Sequence, residues 1–411
     1  MKSFATLLTL RRIRMHGFIL AVILWSVYAT DLATPGKFDS FGLLKGTDFV
    51  QFYILGSLVH SGRADLLYDM HAQAEWLKQL MPRAKDIFYA PVYGPQVSLF
   101  FTPFAHFPYS RALAIWLVLS VAIYGISCWL IWRTCPQLRK FPGTSIILAL
   151  AFPGFFHLIT FGQNSGLALL CFTLAYLAFR NQYSFLAGLA IGMLVFKPQF
   201  VIVPALVFLF AREWIVVIGT VLSSVGQLAM GRFYFGAGVM QRYFRTLTEN
   251  LNSQALIEPH LYQTFSFRGF WLLLVPANVG LILYLLSVVA VVVLAIRCWK
   301  SRASIGIRYS GLVLATILAA PHCNIYDLVI LAPAFLLLGD WSLGKFDEDA
   351  RMVKVLLYSC YLLFLLTPLT KLIHLQLGVI ALLCLFWTTW KIAKQQPAAL
   401  REAHPAIHSE A

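Results

Sequence analysis

"VGLILYLLSVVAVVVLAIRCW", residues 279–299, runs for eighteen residues before its first charge, Arg297. At a rise of about 1.5 Å per residue, a helix of this length crosses the roughly 30 Å hydrocarbon core of a bilayer. The run is too long and too little alternating to be a barrel strand. Comparable runs recur to the end of the 411-residue chain. Overall the chain is 60% hydrophobic and 12% charged, with mean hydropathy +0.76, whereas soluble domains carry about 25% charged residues. The expected fold class is an all-α polytopic membrane protein.

Working outward, spans are expected near 15–33, 110–132, 143–160, 164–180, 183–196, 198–211, 213–230, 279–299, 305–320, 325–339, 353–369 and 373–391. Those at 183–196 and 198–211 are short and need tilt, bilayer thinning or partial insertion. Residues 92–107 form a shorter apolar stretch, read as re-entrant or interfacial. The N-terminus has basic residues before its apolar stretch but no small-residue cleavage site, so it reads as an uncleaved first helix. The seven cysteines lie mostly within apolar runs, with no CxxC pair and no disulfide framework.

The net charge of +15 is explained by basic cytoplasmic loops. Nucleic acid is excluded as a partner, because no basic, aromatic-interleaved soluble domain exists to hold it. With twelve spans the clusters Arg11/Arg12/Arg14, Arg133/Arg139/Lys140, Arg297/Lys300/Arg302/Arg308, Arg351/Lys354 and Lys391/Lys394 share one side. Both termini are then cytoplasmic, in a multi-pass protein of the cell membrane. A single transmembrane domain over 1–395 follows, with outer loops 34–91 and 231–268 and a cytoplasmic tail 396–411. Within the first loop, "AEWLKQLMPRAKDIF" reads as an amphipathic interfacial helix.

The same topology collects the polar motifs on the outer face, where polar groups at membrane depth tend to line sites. "GLLKGTDFVQFYILGS", residues 42–57, starts a helix with Thr47 as a cap and Asp48 in the first turn. Asp48 either complements the helix dipole or, desolvated beside Phe49, Phe52 and Tyr53, gains basicity as a catalytic carboxylate. "FGQNSG" at 161–166 is either a tight turn or a substrate-binding pair of amides, Gln163 and Asn164. "FKPQF" at 196–200 breaks an apolar run at Pro198. Its Lys197 either snorkels or binds a phosphate as a point charge, with Gln199 beside it. "APHCNIYD" at 320–327 offers His322, Asn324, Tyr326 and Asp327, as a polar turn or a substrate-facing one. Loop 231–268 brings Arg245 and Arg268, either as part of a solvated loop meeting headgroups or as further candidates for an anionic, lipid-linked substrate. There is no Walker motif, no G-x-S-x-G and no H-E-x-x-H.

Taken in order, "TDFVQFYILGSLVHSGRADLLYDM", "YAPVYGPQVSLFFTPFAHFP", "FGQNSGLALL", "LAGLAIGMLVFKPQFVIVPAL" and "APHCNIYDLVILAP" resemble glycosyltransferase family 87, over about residues 47 to 335. That family includes polyprenol-phosphate-mannose-dependent mannosyltransferases. The chain departs from it at "APVYGP", where the family commonly has two adjacent prolines. The resemblance implies a GT-C architecture of about 12 (11–13) transmembrane helices with a long first outer loop. It also implies inverting transfer of a hexose, mannose by expectation, from a polyprenyl-phosphate sugar to a lipid or glycan acceptor. Asp48 matches the acidic base of the family's first outer loop. Lys197, His322, Arg245 and Arg268 are then candidates for the donor phosphate, and Tyr53, Gln163, Asn164, Gln199 and Asp327 for substrate. No cofactor is expected; Asp48 with Asp327 could hold a divalent cation, but the chemistry does not require one. A transporter or flippase of a lipid-linked sugar is the competing reading, and it would need the same basic, aromatic cavity without a base. Transporters commonly carry internal repeats and paired broken helices; this chain has one such break and no convincing repeat.

Overall fold

The computed structural model describes residues 8–40, 42–82, 89–251 and 260–395. Among them the regular structure is helical, with two isolated β-bridges, Phe38 to Leu44 and Thr264 to Asn324. Six helices are long and apolar enough to cross a membrane: Leu10–Ala33, Tyr109–Trp132, Trp214–Glu249, Ala277–Trp299, Ile325–Leu343 and Leu377–Gln395. Two bent pairs raise the number to eight. Several apolar helices of this length mark a membrane protein.

Of the about twelve expected spans, two are bent at breaks and four form apolar helices of fewer than 18 residues. The 143–160 segment is two helices, Pro142–Leu150 and Pro153–Phe161, bent by 47°. Proline at the first position of the second helix stops the first from continuing. The 353–369 segment is Glu348–Leu365 followed by Thr367–Ile373, bent by 74°. Five further apolar helices, among them Ser165–Arg180 and Ile305–Ala319, are shorter than a comfortable span.

The two long loops are more structured than connectors. Residues 231–251 are helical, continuing Trp214–Leu251 past a break at Gly236, whose φ is 82°. Only 252–259 of that segment lie outside the described residues. The first loop carries Phe49–His60 and Met70–Leu80. The latter buries Gln73, Ala74 and Leu77 on one face, as an amphipathic helix should. Residues 83–88, Asp86 among them, and the tail 396–411 lie outside the described residues. The 92–107 stretch forms a short helix, Pro95–Phe101, and a 3-10 turn, Thr102–His106. Phe101 stacks on Phe52 of the Asp48 helix at 4.7 Å.

Two apolar cores result. The larger gathers the central helices around residues such as Phe172, Leu314, Val329 and Leu382. The smaller packs Phe49, Phe52, Phe101, Phe104 and Trp116 beneath the Asp48 loop. The tightest helix pairing sets Ser184–Gly192 against the long helix. A β-carbon on Gly188 would lie 2.2 Å from the Val216 carbonyl oxygen, and one on Gly219 would lie 2.5 Å from that of Phe185. Small residues here let two backbones touch, the means by which membrane helices gain packing energy. Lys197 follows this helix after the 3-10 turn Met193–Phe196, so the pairing helps fix where its side chain enters the bundle.

This contact gives a paired test on one helix. Gly219→Leu forces the backbones apart and should cost about 1–3 kcal/mol or more. Gly226→Leu, where nothing lies within 4 Å of the added carbon, should leave the thermal midpoint in detergent near wild type. Equal midpoints for the two variants would refute the close-packing account.

Candidate active site

The site is built where four separate breaks in helical structure meet. Asp48 sits at the N-terminus of Phe49–His60, and its side chain makes no capping hydrogen bond to that helix. Its backbone N–H donates to the Phe161 carbonyl at 3.0 Å. The loop before it is clamped by tyrosines: Tyr109 donates to the Lys45 carbonyl at 2.6 Å, and Tyr89 donates to that of Thr47.

The second break is the "FGQNSG" turn. Gly162 ends the preceding helix in the left-handed region, with φ 67°. A β-carbon there would meet Phe49 Cβ at 2.8 Å, so glycine serves both the turn and the close approach to the Asp48 helix. Trp116 Nε1 donates to the Gly162 carbonyl at 2.8 Å. The turn aims Gln163 at the carboxylate: Gln163 Nε2 donates to Asp48 Oδ2 at 3.1 Å. The Asn164 N–H holds the other end of that amide, donating to Gln163 Oε1 at 2.7 Å.

One residue further on, Ser165 Oγ donates to Asp327 Oδ1 at 2.6 Å. Lys197 Nζ donates to the same oxygen at 2.7 Å and to Ser165 Oγ at 2.8 Å. The side chains of this ion pair are 3% and 0% exposed. Asp327 Oδ2 accepts the Asn324 N–H at 3.0 Å, bracing the turn from which it comes. Lys197 Nζ also lies 5.4 Å from the centre of the Tyr326 ring. A buried carboxylate with this many donors is compensated for its lost hydration.

Four motifs distant in sequence therefore converge. Gln163 touches Asp48, Ser165 links the same turn to Lys197 and Asp327, and His322 lies within electrostatic reach of Asp48. Arg268 Nη1 donates to the Pro321 carbonyl at 3.0 Å, beside His322. The remaining candidates sit differently. Tyr53 donates to the Phe107 carbonyl at 2.9 Å within the smaller core, behind the carboxylate. Gln199 is half-buried on the 3-10 turn Pro198–Phe200. Arg245 is exposed on the long helix beyond Gly236. Lys197 is not an open cation here, because its ammonium is enclosed with Asp327. Asp327 is likewise occupied by Lys197, Ser165 and the Asn324 backbone.

The sequence reading missed Ser165, Tyr93 and Tyr89 as site residues. Ser165 was in view inside "FGQNSG", but a serine in a turn carries no sign of its distant partners. Tyr93 approaches Gln163 and Asn164, and burial, with Asp327 and Asp48 adding to it, pushes its hydroxyl pKa up. It stays a neutral hydroxyl. The Asn164 side chain is fully buried, and neither amide atom makes a regular hydrogen bond among the described residues. Unpaired buried amides are rare enough to call for an explanation.

The electrostatics of Asp48 follow from this setting. Burial pushes its carboxyl up from 3.8 to about 6. The Gln163 hydrogen bond, Lys197 and His322 pull it down, while Asp327 pushes it up. A carboxylate so placed is ionised at neutral pH and more basic than one in water. Among the described residues no three His, Cys, Asp or Glu side chains group as a metal site would need.

A helical membrane protein holding a desolvated carboxylate among amides, tyrosines and cations has the equipment for transfer to a hydroxyl. The profile of glycosyltransferase family 87 matches residues 92–321, more than half of the chain. The chain belongs to that family, and it is a sugar-transferring enzyme. The matched segment contains Gln163, Asn164, Lys197, Arg245 and Arg268, whereas Asp48, His322 and Asp327 lie outside it. No curated protein and no solved structure matches the chain.

The buried pair can be tested by stability. Lys197→Met strands the Asp327 charge and should cost about 3–5 kcal/mol. The double variant Lys197→Met/Asp327→Asn should recover most of that loss in chemical denaturation. If the double variant falls as far as the sum of the two single ones, the two residues are not coupled.

Proposed function

We propose that the protein is a GT-C-type inverting hexosyltransferase. It moves a sugar, mannose being the family expectation, from a polyprenyl-phosphate donor to a lipid or glycan acceptor. In this reading the Asp48 end of the bundle faces outward from the cell membrane and both termini face the cytoplasm. The observation that carries the mechanism is Asp48 itself: a carboxylate with no capping role, gripped on one oxygen by Gln163 and raised to about 6 by burial.

As the acceptor oxygen attacks the anomeric carbon, its proton passes to Asp48. The bond between that carbon and the phosphate oxygen breaks, and the lipid phosphate leaves with the electron pair. The leaving group already carries charge well, so a nearby cation suffices to assist it. Arg268 and His322 are the best placed for that task. Arg245, on its exposed surface, would contribute only by attracting the donor's phosphate. Lys197 acts from behind, through Asp327 and Ser165, by holding the turn that aims Gln163. The buried amide of Asn164 and the Tyr93 hydroxyl beside it suit sugar hydroxyls. Gln199 stands at the edge of this region. Tyr53 supports it through packing. No cofactor enters the scheme.

Purified protein is to be assayed with polyprenyl-phosphate mannose and candidate acceptors. Asp48→Asn should reduce kcat by roughly 10²-fold or more with the protein still folded, and equal turnover would remove Asp48 as the base. Since the base must be ionised to accept a proton, the wild-type rate should fall as pH drops through about 6. Stability should move the other way. The folded pKa of Asp48 is raised, so its ionised form is disfavoured by folding, a cost fully present above 6 and gone below 3.8. Asp48→Asn should therefore raise the thermal midpoint at neutral pH, and the gain should close in acid. A lower midpoint at neutral pH would mean that the carboxylate stabilises the fold instead.

A further inference from the structure

The far end of the bundle carries a second feature that the transfer chemistry does not use. Leu10–Ala33 and Tyr109–Trp132 each have 24 residues, about 36 Å of helix. The Asp48 loop meets the C-terminal end of the first, where Lys45 Nζ donates to the Thr34 carbonyl. It meets the N-terminal end of the second through Tyr109. The opposite ends of both helices carry the basic clusters Arg11/Arg12/Arg14 and Arg133/Arg139/Lys140.

At that end two cavities adjoin. One is a groove of about 390 Å³ between the first helix and the helices Pro142–Leu150, Ala332–Leu343 and Glu348–Leu365. Ile13, Leu20, Leu148 and Leu357 are typical of its almost wholly apolar walls, with Lys354 also lining it. The other is an open shelf of about 460 Å³ formed by Trp129, Trp132, Arg133, Pro136, Arg139 and Lys140. They share the segment 138–141: Lys140 lies in the shelf, while Leu138 and Phe141 line the groove. The Arg133 guanidinium lies 4.9 Å from the centre of the Trp129 ring. The shelf itself has no carboxylate. Asp340, across from the shelf's edge, accepts the Gln137 and Leu138 N–H groups at 2.7 and 2.9 Å.

The first helix is otherwise thinly packed, burying only Gly17 and Tyr28. It is tied across the groove by His16 Nδ1 with the Tyr358 hydroxyl at 2.9 Å. Further along, Trp25 Nε1 donates to the Leu150 carbonyl. Between these ties an apolar slot leads to a cationic, aromatic ledge. That is the shape and charge order of a lipid with an anionic head. Basic pockets between membrane helices attract such headgroups, and tryptophan favours the same depth.

We propose that this groove and shelf form a structural site for an anionic glycerophospholipid of the surrounding leaflet. One acyl chain fills the slot behind the first helix. The phosphate rests against Arg133, Arg139 and Lys140. The lipid thereby completes the packing of the first helix, and the site operates independently of the Asp48 centre at the other end.

Full-length protein is reconstituted in nanodiscs of equal parts phosphatidylglycerol and phosphatidylcholine, then re-extracted in mild detergent. Retained lipid is counted by mass spectrometry. Wild type should keep phosphatidylglycerol over phosphatidylcholine by about tenfold, the scale expected for a few basic side chains. The surface variant Arg139→Ala/Lys140→Ala should bring the ratio back towards that of the bulk. Leu20→Phe, which narrows the groove, should lower the total retained. Arg111→Ala, at the Asp48 end, should change neither measurement. Retention in the bulk ratio by wild type would overturn the proposal, since the groove would then hold ordinary surrounding lipid. Equal loss in Arg111→Ala would overturn it as well. So would preferential retention of polyprenyl phosphate when that lipid is added to the mixture.

Discussion

The buried Lys197–Asp327 pair is the constraint around which the active end of the protein is arranged. Two opposite charges with side chains 3% and 0% exposed survive in an apolar bundle only if their remaining valences are met. Here they are met by elements that would otherwise have no reason to meet. Ser165 comes from the turn after Pro153–Phe161, Lys197 from the break after Ser184–Gly192, and the Asn324 N–H from the start of the 325–331 turn. The pair also tethers the turn that places Gln163 against Asp48, two residues before Ser165. Geometry at the carboxylate therefore depends on an ion pair it does not touch.

Much of the fold was legible because a bilayer imposes few solutions. The run at 279–299 was readable as a spanning helix, and Ala277–Trp299 is a helix long and apolar enough to cross a membrane. The positions of the breaks were less legible, because proline and glycine act locally. Pro153 turns one expected span into two helices bent by 47°, and hydropathy summed over a window does not register a bend. The 231–251 segment read as loop because its arginines and tyrosines look solvated, yet helix resumes beyond the kink at Gly236. In the site, Asp48, Gln163, Lys197 and Asp327 were readable as polar groups misplaced in apolar sequence. Their pairing was not. Lys197 reads as a free cation from sequence because the carboxylate that neutralises it comes 130 residues later.

The two ends of the molecule use charge in different ways. Around Asp48, the Lys197–Asp327 pair is enclosed and matched, so its field acts through a medium that screens it weakly. At the other end, arginines and lysines are exposed and outnumber nearby carboxylates, which suits attraction of an anionic headgroup. A single chain can hold both because the helices between them keep the ends about 36 Å apart, well beyond the distance over which salt screens charge.

The position of Asp48 at a helix N-terminus is consistent with the work of a base. Full burial of a lone carboxylate would leave it protonated at neutral pH and useless as a proton acceptor; full exposure would leave it too weakly basic. Burial raises Asp48, while the Gln163 donor, Lys197 and His322 hold it back, and the result is about 6. The helix N-terminus adds a further positive influence. Because the side chain is not spent on capping, the carboxylate has acceptor capacity left after Gln163 takes one oxygen. Opposed influences thus leave the group ionised at neutral pH and more basic than in water, two properties that the proposed removal of a proton from an incoming hydroxyl would use.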